Sequence, residues 1–194
     1  FVVSNNGYIT SQSISDLRGE TIIASGQGGA GEAVLRKLLS DNYINPDYGV
    51  RMEWVDTQDQ VLEALNERGT VALLQEPFAS RALELNVENG EITSDIDLGL
   101  LWEEKHRSPI PSDVIIANKQ FVKEREDDLQ IFIREFEASL AKAKESTDAS
   151  LVFYGRTNRC MDLVKQYIDF MGVYDINLLG GESPDATFYY GIGE

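Results

Sequence analysis

Histidine and cysteine are almost absent from this chain of 194 residues, which contains only His106 and Cys160. A single cysteine excludes an internal disulfide and a zinc site built from paired thiolates. A single histidine excludes a multi-histidine metal site, and no candidate nucleophile has a histidine close in sequence to act as its base. The sequence therefore predicts neither a metal nor another cofactor, and it lowers the expectation of an enzyme.

Basic residues are also scarce, because 17 lysines and arginines stand against 33 aspartates and glutamates, for a formal net charge of −16. A protein with this charge repels the phosphates of nucleic acids and anionic membrane surfaces. The acidic residues are scattered along the chain, as is typical of a solvated surface. We therefore expect no nucleic acid partner.

Long apolar runs are missing as well, so no segment is predicted to span a membrane. The chain carries no basic-then-apolar signal sequence and does not start with methionine. Phe1–Asn5 has instead the pattern of the middle of a strand. This pattern predicts a processed chain or a fragment.

The most informative stretch that is present runs from Thr21 to Leu35. Its apolar start, Thr21–Ala24, predicts a covered strand, and the apolar residues after Gly31 recur at helical spacing. A glycine loop between a strand and a helix aims unpaired backbone N–H groups at one point, which favours a carboxylate, sulfonate, phosphate or other strong acceptor. The predicted ligand-binding residues of this loop are Gln27, Gly28, Gly29, Ala30 and Gly31.

The same loop also fits a dinucleotide-binding site. Gly26, Gly28 and Gly31 match G-x-G-x-x-G, and Asp56 closes the next predicted strand, where an acid would bind a ribose. This alternative predicts an NAD-dependent oxidoreductase. A third interpretation is a glycine-rich turn that binds no ligand.

Residues 21–74 alternate between strand and helix patterns. Predicted strands at Thr21–Ala24, Arg51–Val55 and Thr70–Leu74 are separated by predicted helices, which indicates a parallel sheet. Ligands of such sheets bind outside the carboxyl ends of the strands. Glu76 and Pro77 follow the third strand and should lie at the same edge as the glycine loop, with Glu76 either limiting the pocket or serving as a helix-start acid.

The second half of the chain has a different pattern. Ile96–Trp102 is apolar and is predicted to be extended, and the charged Glu103–Pro111 has the composition of a linker. Val114–Ala117 is predicted to be a strand, followed by a long amphipathic helix from Asn118 or Lys119 to about Ala143. A further helix is predicted over Cys160–Met171.

Several motifs follow one another along the chain in an order typical of one family. These are Ser15–Thr21, the glycine loop, Glu76-Pro77-Phe78-Ala79, the return through Pro111–Lys119 and the closing segment Gly180–Tyr190. Together they resemble the solute-binding proteins of ABC importers, in the branch associated with nitrate, sulfonates, taurine and thiamine-precursor pyrimidines. The resemblance covers residues 1–190.

The resemblance implies an α/β fold of the periplasmic-binding-protein type 2, with two lobes joined by crossover strands. Residues 1–5 and 96–102 would be the crossover strands, 6–98 lobe 2, and 103–194 the C-terminal part of an incomplete lobe 1. Asn5, in the first crossover strand, is also expected to contact the ligand.

The implied function is non-catalytic capture of a small solute for import. The implied partners are a small-molecule ligand and an ABC transporter permease, and the implied location is extracytoplasmic, in a periplasm or as a cell-surface lipoprotein. Enzymes of pyrimidine or menaquinone metabolism use the same fold, so an enzyme remains the alternative.

Overall fold

The computed structural model describes residues 1–4, 13–67, 71–89, 92, 94–111, 114–146 and 158–189. The chain divides into two compact units. The first comprises Phe1–Ile110 and Tyr167–Ser183, and the second comprises Pro111–Gln166 and Pro184–Glu194.

The first unit is built on a five-stranded sheet. Its strands are β1 (Val2–Ser4), β2 (Thr21–Ala24), β3 (Arg51–Trp54), β4 (Val71–Leu73) and β5 (Ser94–Ile96). They lie in the order β3-β2-β4-β1-β5. Strand β2 is parallel to β3 and β4, whereas β1 is antiparallel to both of its neighbours. The predicted parallel α/β arrangement of residues 21–74 is therefore confirmed.

Seven α-helices accompany the sheet and the second unit among the described residues. They are α1 (Ala30–Asp41), α2 (Gln58–Glu67), α3 (Phe78–Asn89), α4 (Leu98–His106), α5 (Lys119–Glu124), α6 (Glu126–Ser146) and α7 (Asn158–Tyr174). Short 3-10 helices span Ile14–Leu17, Ile176–Leu179 and Ala186–Phe188.

Apolar side chains cover both faces of the sheet. Because side chains alternate along a strand, Ile22 and Ile23 of β2 point to opposite faces. Ile22 packs in one buried cluster with Leu35 of α1, and Ile23 packs in a second cluster with Leu65 of α2. This two-sided burial explains why β2 has a continuous apolar sequence instead of an alternating one.

The carboxyl ends of β2, β3 and β4 meet at one edge of the sheet, which we call the ligand edge. Since β1 runs the other way, it begins at this edge, where the Leu74 N–H donates to the Phe1 carbonyl at 2.9 Å. Its last residue, Ser4, pairs with Val71 and Ser94 at the opposite edge. Asn5, the next residue, lies outside the described residues.

The strand order argues against the dinucleotide-binding alternative. In the dinucleotide-binding fold, counting the strand before the glycine loop as the first, the third strand pairs with the second. Here the third such strand, β4, pairs instead with the first, β2, on the side away from β3. The described part of the sheet also contains no strand from residues 114–117. The G-x-G-x-x-G match thus lies in a sheet of different topology.

The predicted extended run over Ile96–Trp102 is wrong after its first residue. Strand β5 ends at Ile96, and α4 begins at Leu98. The Asp97 carboxylate caps this helix by accepting hydrogen bonds from the N–H groups of Gly99 and Leu100 at 2.8 and 3.0 Å. The apolar run is therefore mostly helical, with Leu98 and Trp102 in the core and Leu100 exposed. The lobe boundaries stay a prediction.

The second unit contains α5, α6 and the first part of α7. The predicted long helix is interrupted at Arg125, whose N–H still bonds the Phe121 carbonyl at 2.8 Å, and α6 then continues to Ser146. The predicted strand at Val114–Ala117 is wrong, because these residues form no regular element. Apolar β-branched residues favour a strand only when a neighbouring strand pairs with them, and none is present in the described part of this unit.

Among the helices of the described residues, none is both long enough and apolar enough to cross a membrane.

Candidate functional site

The glycine loop occupies the ligand edge after β2. Gly26 and Gly28 have φ values of 75° and 77°, in the left-handed region where glycine has no steric penalty. The N–H of Gly29 returns to the carbonyl of Gly26 at 3.0 Å and closes a tight turn. A Cβ on Gly29 would lie 2.9 Å from that carbonyl oxygen, so this turn has no room for a side chain.

The carboxylate of Glu32 lies beneath the loop. Glu32 is 6% exposed, and its Oε2 accepts the N–H of Gly28 at 2.7 Å. Its Oε1 accepts from Nε of Arg36 at 2.7 Å, and Arg36 in turn donates to Asp47 at 2.7 Å. The fold thus supplies its own anion to the start of α1, where the helix dipole favours negative charge.

Helix α7 also contributes to this arrangement. Burial is the largest effect on the pKa of Tyr174, and it raises that pKa together with the charge of Glu32 and a hydrogen bond from the tyrosine to Glu32. Burial lowers the pKa of Arg36, but its hydrogen bonds to Glu32 and Asp47 outweigh burial and raise the pKa overall. Glu32 is therefore fixed from several directions.

These contacts divide the predicted cradle into two groups. The amides of Gly28 and Gly29 have protein acceptors, so the structure does not leave them open to a ligand as the sequence predicted. Within the described residues, the amides of Gln27, Ala30 and Gly31 have no protein acceptor. The last two belong to the first turn of α1, where helix N–H groups lack an intrahelical partner.

Three polar residues that the sequence analysis missed join this edge. Ser25 follows β2, Gln75 follows β4, and Gln58 is the first residue of α2. Gln58 donates from Nε2 to Ser25 Oγ at 2.8 Å and accepts from the N–H of Gln75 at 3.0 Å. Nε2 of Gln75 lies 3.6 Å from the position a Cβ would take on Gly31, so this side chain borders the loop. The sequence does carry a signal for Ser25 and Gln75, because each is a polar residue directly after a predicted strand.

Glu76 and Pro77 lie at the same edge, after β4. Oε2 of Glu76 accepts from N and Oγ of Ser80 at 3.2 and 2.8 Å, so the helix-start role is present. Pro77 follows a cis peptide bond and immediately precedes α3. Contact of either residue with a ligand stays a prediction.

Asp56, the predicted ribose-binding acid, is exposed after β3. Its backbone N–H and that of Thr57 both donate to Oε1 of Gln60, at 3.0 and 3.1 Å. Thr57 Oγ1 accepts from the Gln60 N–H at 3.3 Å, which completes a capping box at the start of α2. Thr57 is therefore the N-cap of α2.

Comparison with known proteins assigns this chain to a family. The model of the family described as NMT1/THI5 like matches residues 1–150. The chain belongs to the NMT1/THI5-like family. No curated protein matches the sequence significantly.

A solved structure relates this NMT1/THI5-like chain to a known fold. The chain is similar to the periplasmic aliphatic sulphonate binding protein SsuA from Escherichia coli, with a TM-score of 0.50 and 14% sequence identity. The similarity covers 97% of this chain but 63% of that one, so the chain spans less than two thirds of its length. The predicted α/β fold of the periplasmic-binding-protein type is confirmed.

Proposed function

We propose that this chain binds a small solute at the ligand edge and belongs to the receptor of an ABC-type importer. The observation that carries the proposal is the open N–H groups of Gln27, Ala30 and Gly31 beside Ser25 and Gln75. Such a set of donors suits an acceptor group of the ligand, such as a sulfonate, a nitrate or a pyrimidine carbonyl. The family and the sulphonate-binding relative support the same function.

Binding without chemistry is the better-supported alternative. The loop and strand ends supply hydrogen-bond donors, and His106 is engaged elsewhere, 3.0 Å from Asp41 near the end of α1. Among the described residues, no cluster of three or more His, Cys, Asp or Glu side chains is placed to hold a metal. Under this proposal the protein acts outside the cytoplasm, with an ABC permease as its partner.

Isothermal titration of the full chain with ethanesulfonate, taurine, nitrate, a thiamine-precursor pyrimidine and NAD tests the proposal. We expect saturable binding of at least one of the first four ligands and none of NAD. Saturable binding of NAD with hydride transfer would overturn the proposal in favour of an oxidoreductase. Absence of binding by every ligand would also contradict it.

Glu76 offers a second test, because its charge and its capping role can be separated. In Glu76→Gln, the amide oxygen keeps an acceptor for Ser80 while the negative charge disappears. If Glu76 limits the pocket, this variant binds anionic ligands more tightly and taurine, which carries an ammonium group, less tightly. Unchanged affinity for both would exclude Glu76 from the site.

A further inference from the structure

Gln58 connects the ends of two parallel strands at the ligand edge. Its side-chain amide lies between Oγ of Ser25 after β2, at 2.8 Å, and the backbone N of Gln75 after β4, at 3.0 Å. These partners are 33 and 17 residues away in sequence. Only the pairing of β4 with β2 brings them within reach of one side chain.

The backbone N–H of Gln75 fixes the direction of both hydrogen bonds made by the Gln58 side chain. The N–H of Gln75 can only donate, so the Gln58 atom that faces it must be the oxygen. The amide NH2 of Gln58 then faces Ser25, and the Ser25 oxygen must accept from it. The proton of Ser25 is thereby directed away from Gln58, and it has no protein acceptor within the described residues.

The backbone groups next to Ser25 are hydrogen-bond donors, as its hydroxyl is. Ser25 directly precedes the loop in which Gln27, Ala30 and Gly31 present open N–H groups. A serine hydroxyl can donate one hydrogen bond and accept two, and Gln58 occupies one of the acceptor lone pairs of Ser25, so its proton points elsewhere. The ligand edge therefore presents donors from the backbone of the loop and from the side chain of Ser25.

We infer that Gln58 is a positioning residue that turns the Ser25 proton away from itself, so that Ser25 meets the ligand as a hydrogen-bond donor. The site then favours a ligand group that only accepts hydrogen bonds, such as a sulfonate, over an isosteric group in which an NH2 donor replaces one acceptor oxygen, such as a sulfonamide. This inference rests on the proposed function and specifies the ligand chemistry of that site.

The variant Gln58→Glu tests the direction of the hydrogen bonds. Its carboxylate accepts from both the Gln75 N–H and the Ser25 hydroxyl, so the serine proton is withdrawn from the ligand. Ser25→Ala removes the hydroxyl outright. By titration with ethanesulfonate, we expect each variant to weaken binding about tenfold or more, since the lost bond joins a neutral donor to a charged acceptor.

Two controls separate this effect from added charge and from misfolding. Gln60→Glu puts the same charge in the first turn of α2, and its oxygen still accepts the N–H groups of Asp56 and Thr57. We expect a loss of affinity in Gln60→Glu well below that in Gln58→Glu. The urea midpoint of each variant reports whether the fold persists.

The double variant Ser25→Ala/Gln58→Glu shows whether Gln58 acts through Ser25. If it does, Gln58→Glu weakens ethanesulfonate binding much less in the Ser25→Ala background than in the original chain. Gln58→Glu alone should also shift the affinity ratio of ethanesulfonate to ethanesulfonamide about tenfold towards the sulfonamide, because the serine then turns its lone pairs and not its proton to the ligand. A purely structural role would lower both affinities together.

The outcomes distinguish the two proposals. If the unmodified chain binds none of the titrated solutes, the proposed function fails and the inference fails with it. If the unmodified chain binds ethanesulfonate but Gln58→Glu has the same effect with and without Ser25, only the role of Gln58 is overturned. An unchanged sulfonate-to-sulfonamide ratio in Gln58→Glu also overturns it.

Discussion

The carboxylate of Glu32 accepts a hydrogen bond from the N–H of Gly28 at 2.7 Å, so an acidic side chain of α1 fills part of the glycine loop that precedes it. The loop keeps its open donors at Gln27, Ala30 and Gly31. An internal carboxylate at a helix start lowers the positive potential that a ligand meets. Under the proposed function, this arrangement favours a ligand with a single negative charge over one with several.

Replacing Glu32 should destabilise the first unit. In Glu32→Ala the Gly28 N–H loses its acceptor and Arg36 loses a buried partner, which we expect to lower the free energy of unfolding by about 1–3 kcal/mol. Urea unfolding measures this change. Glu63→Ala, at an exposed position of α2, is the control and should leave the stability almost unchanged. Equal effects of the two substitutions would show that Glu32 does not hold the loop.

Gly28 and Gly31 should respond differently to alanine. Gly28 has φ 77°, so Gly28→Ala should lower the free energy of unfolding by about 1–2 kcal/mol although its Cβ would meet open space. Gly31 lies in the first turn of α1, where a Cβ would make ordinary contacts with Gln75 and Leu73. Gly31→Ala should keep the stability or raise it by up to about 1 kcal/mol. A larger loss in Gly31→Ala than in Gly28→Ala, measured by thermal unfolding, would contradict the loop geometry.

Tyr167 predicts a loss of stability in alkaline solution. Burial raises its pKa above the ordinary value of 10.0. As the pH rises past that value, the unfolded chain loses the tyrosine proton before the folded chain does, so the folded state loses stability until its own pKa is passed. This contribution is fully present below the unfolded pKa.

Urea titrations between about pH 8 and about pH 11 measure the effect. Tyr167→Phe has no proton to lose, so its stability should decline less steeply above pH 10.0 than that of the unmodified chain. Tyr48→Phe is the control, because Tyr48 is 83% exposed, and it should follow the unmodified chain. Identical slopes for Tyr167→Phe and the unmodified chain would refute the prediction.

His106 and Asp41 should be energetically coupled. Their atoms Nε2 and Oδ2 are buried, lie 3.0 Å apart as an ion pair and have no hydrogen-bond partner in the described part of the chain. A double-mutant cycle with alanine at both positions should give a coupling energy of about 0.5–3 kcal/mol. The exposed pair Arg81–Asp59, at 3.3 Å, is the control and should give about 0.2–1 kcal/mol. A coupling no larger than the control would show that burial adds nothing to this pair.

Local patterns predicted the first unit well. Thr21–Ala24 is a strand covered on both faces, and the helix after the loop forms. These features depend on residues within a few positions of each other. They could therefore be predicted from the sequence.

Predictions failed for two short apolar segments whose sequence pattern is compatible with more than one conformation. Leu98–Trp102 has an apolar sequence that suits a strand, but the Asp97 cap and the core contacts of Trp102 make it a helix. Val114–Ala117 has a strand sequence without a strand partner in the described residues. In both cases the neighbours of the segment, and not its own composition, selected the conformation.

The sequence by itself determined that a donor-rich glycine loop would stand between β2 and α1, because strand, turn and helix preferences there are all local. Only the tertiary structure decided which side chains join that loop. The order of strands in the sheet places Gln58 between Ser25 and Gln75. Hydrogen-bond partners separated by 17 and 33 residues are fixed by strand pairing, which no local pattern in the sequence encodes.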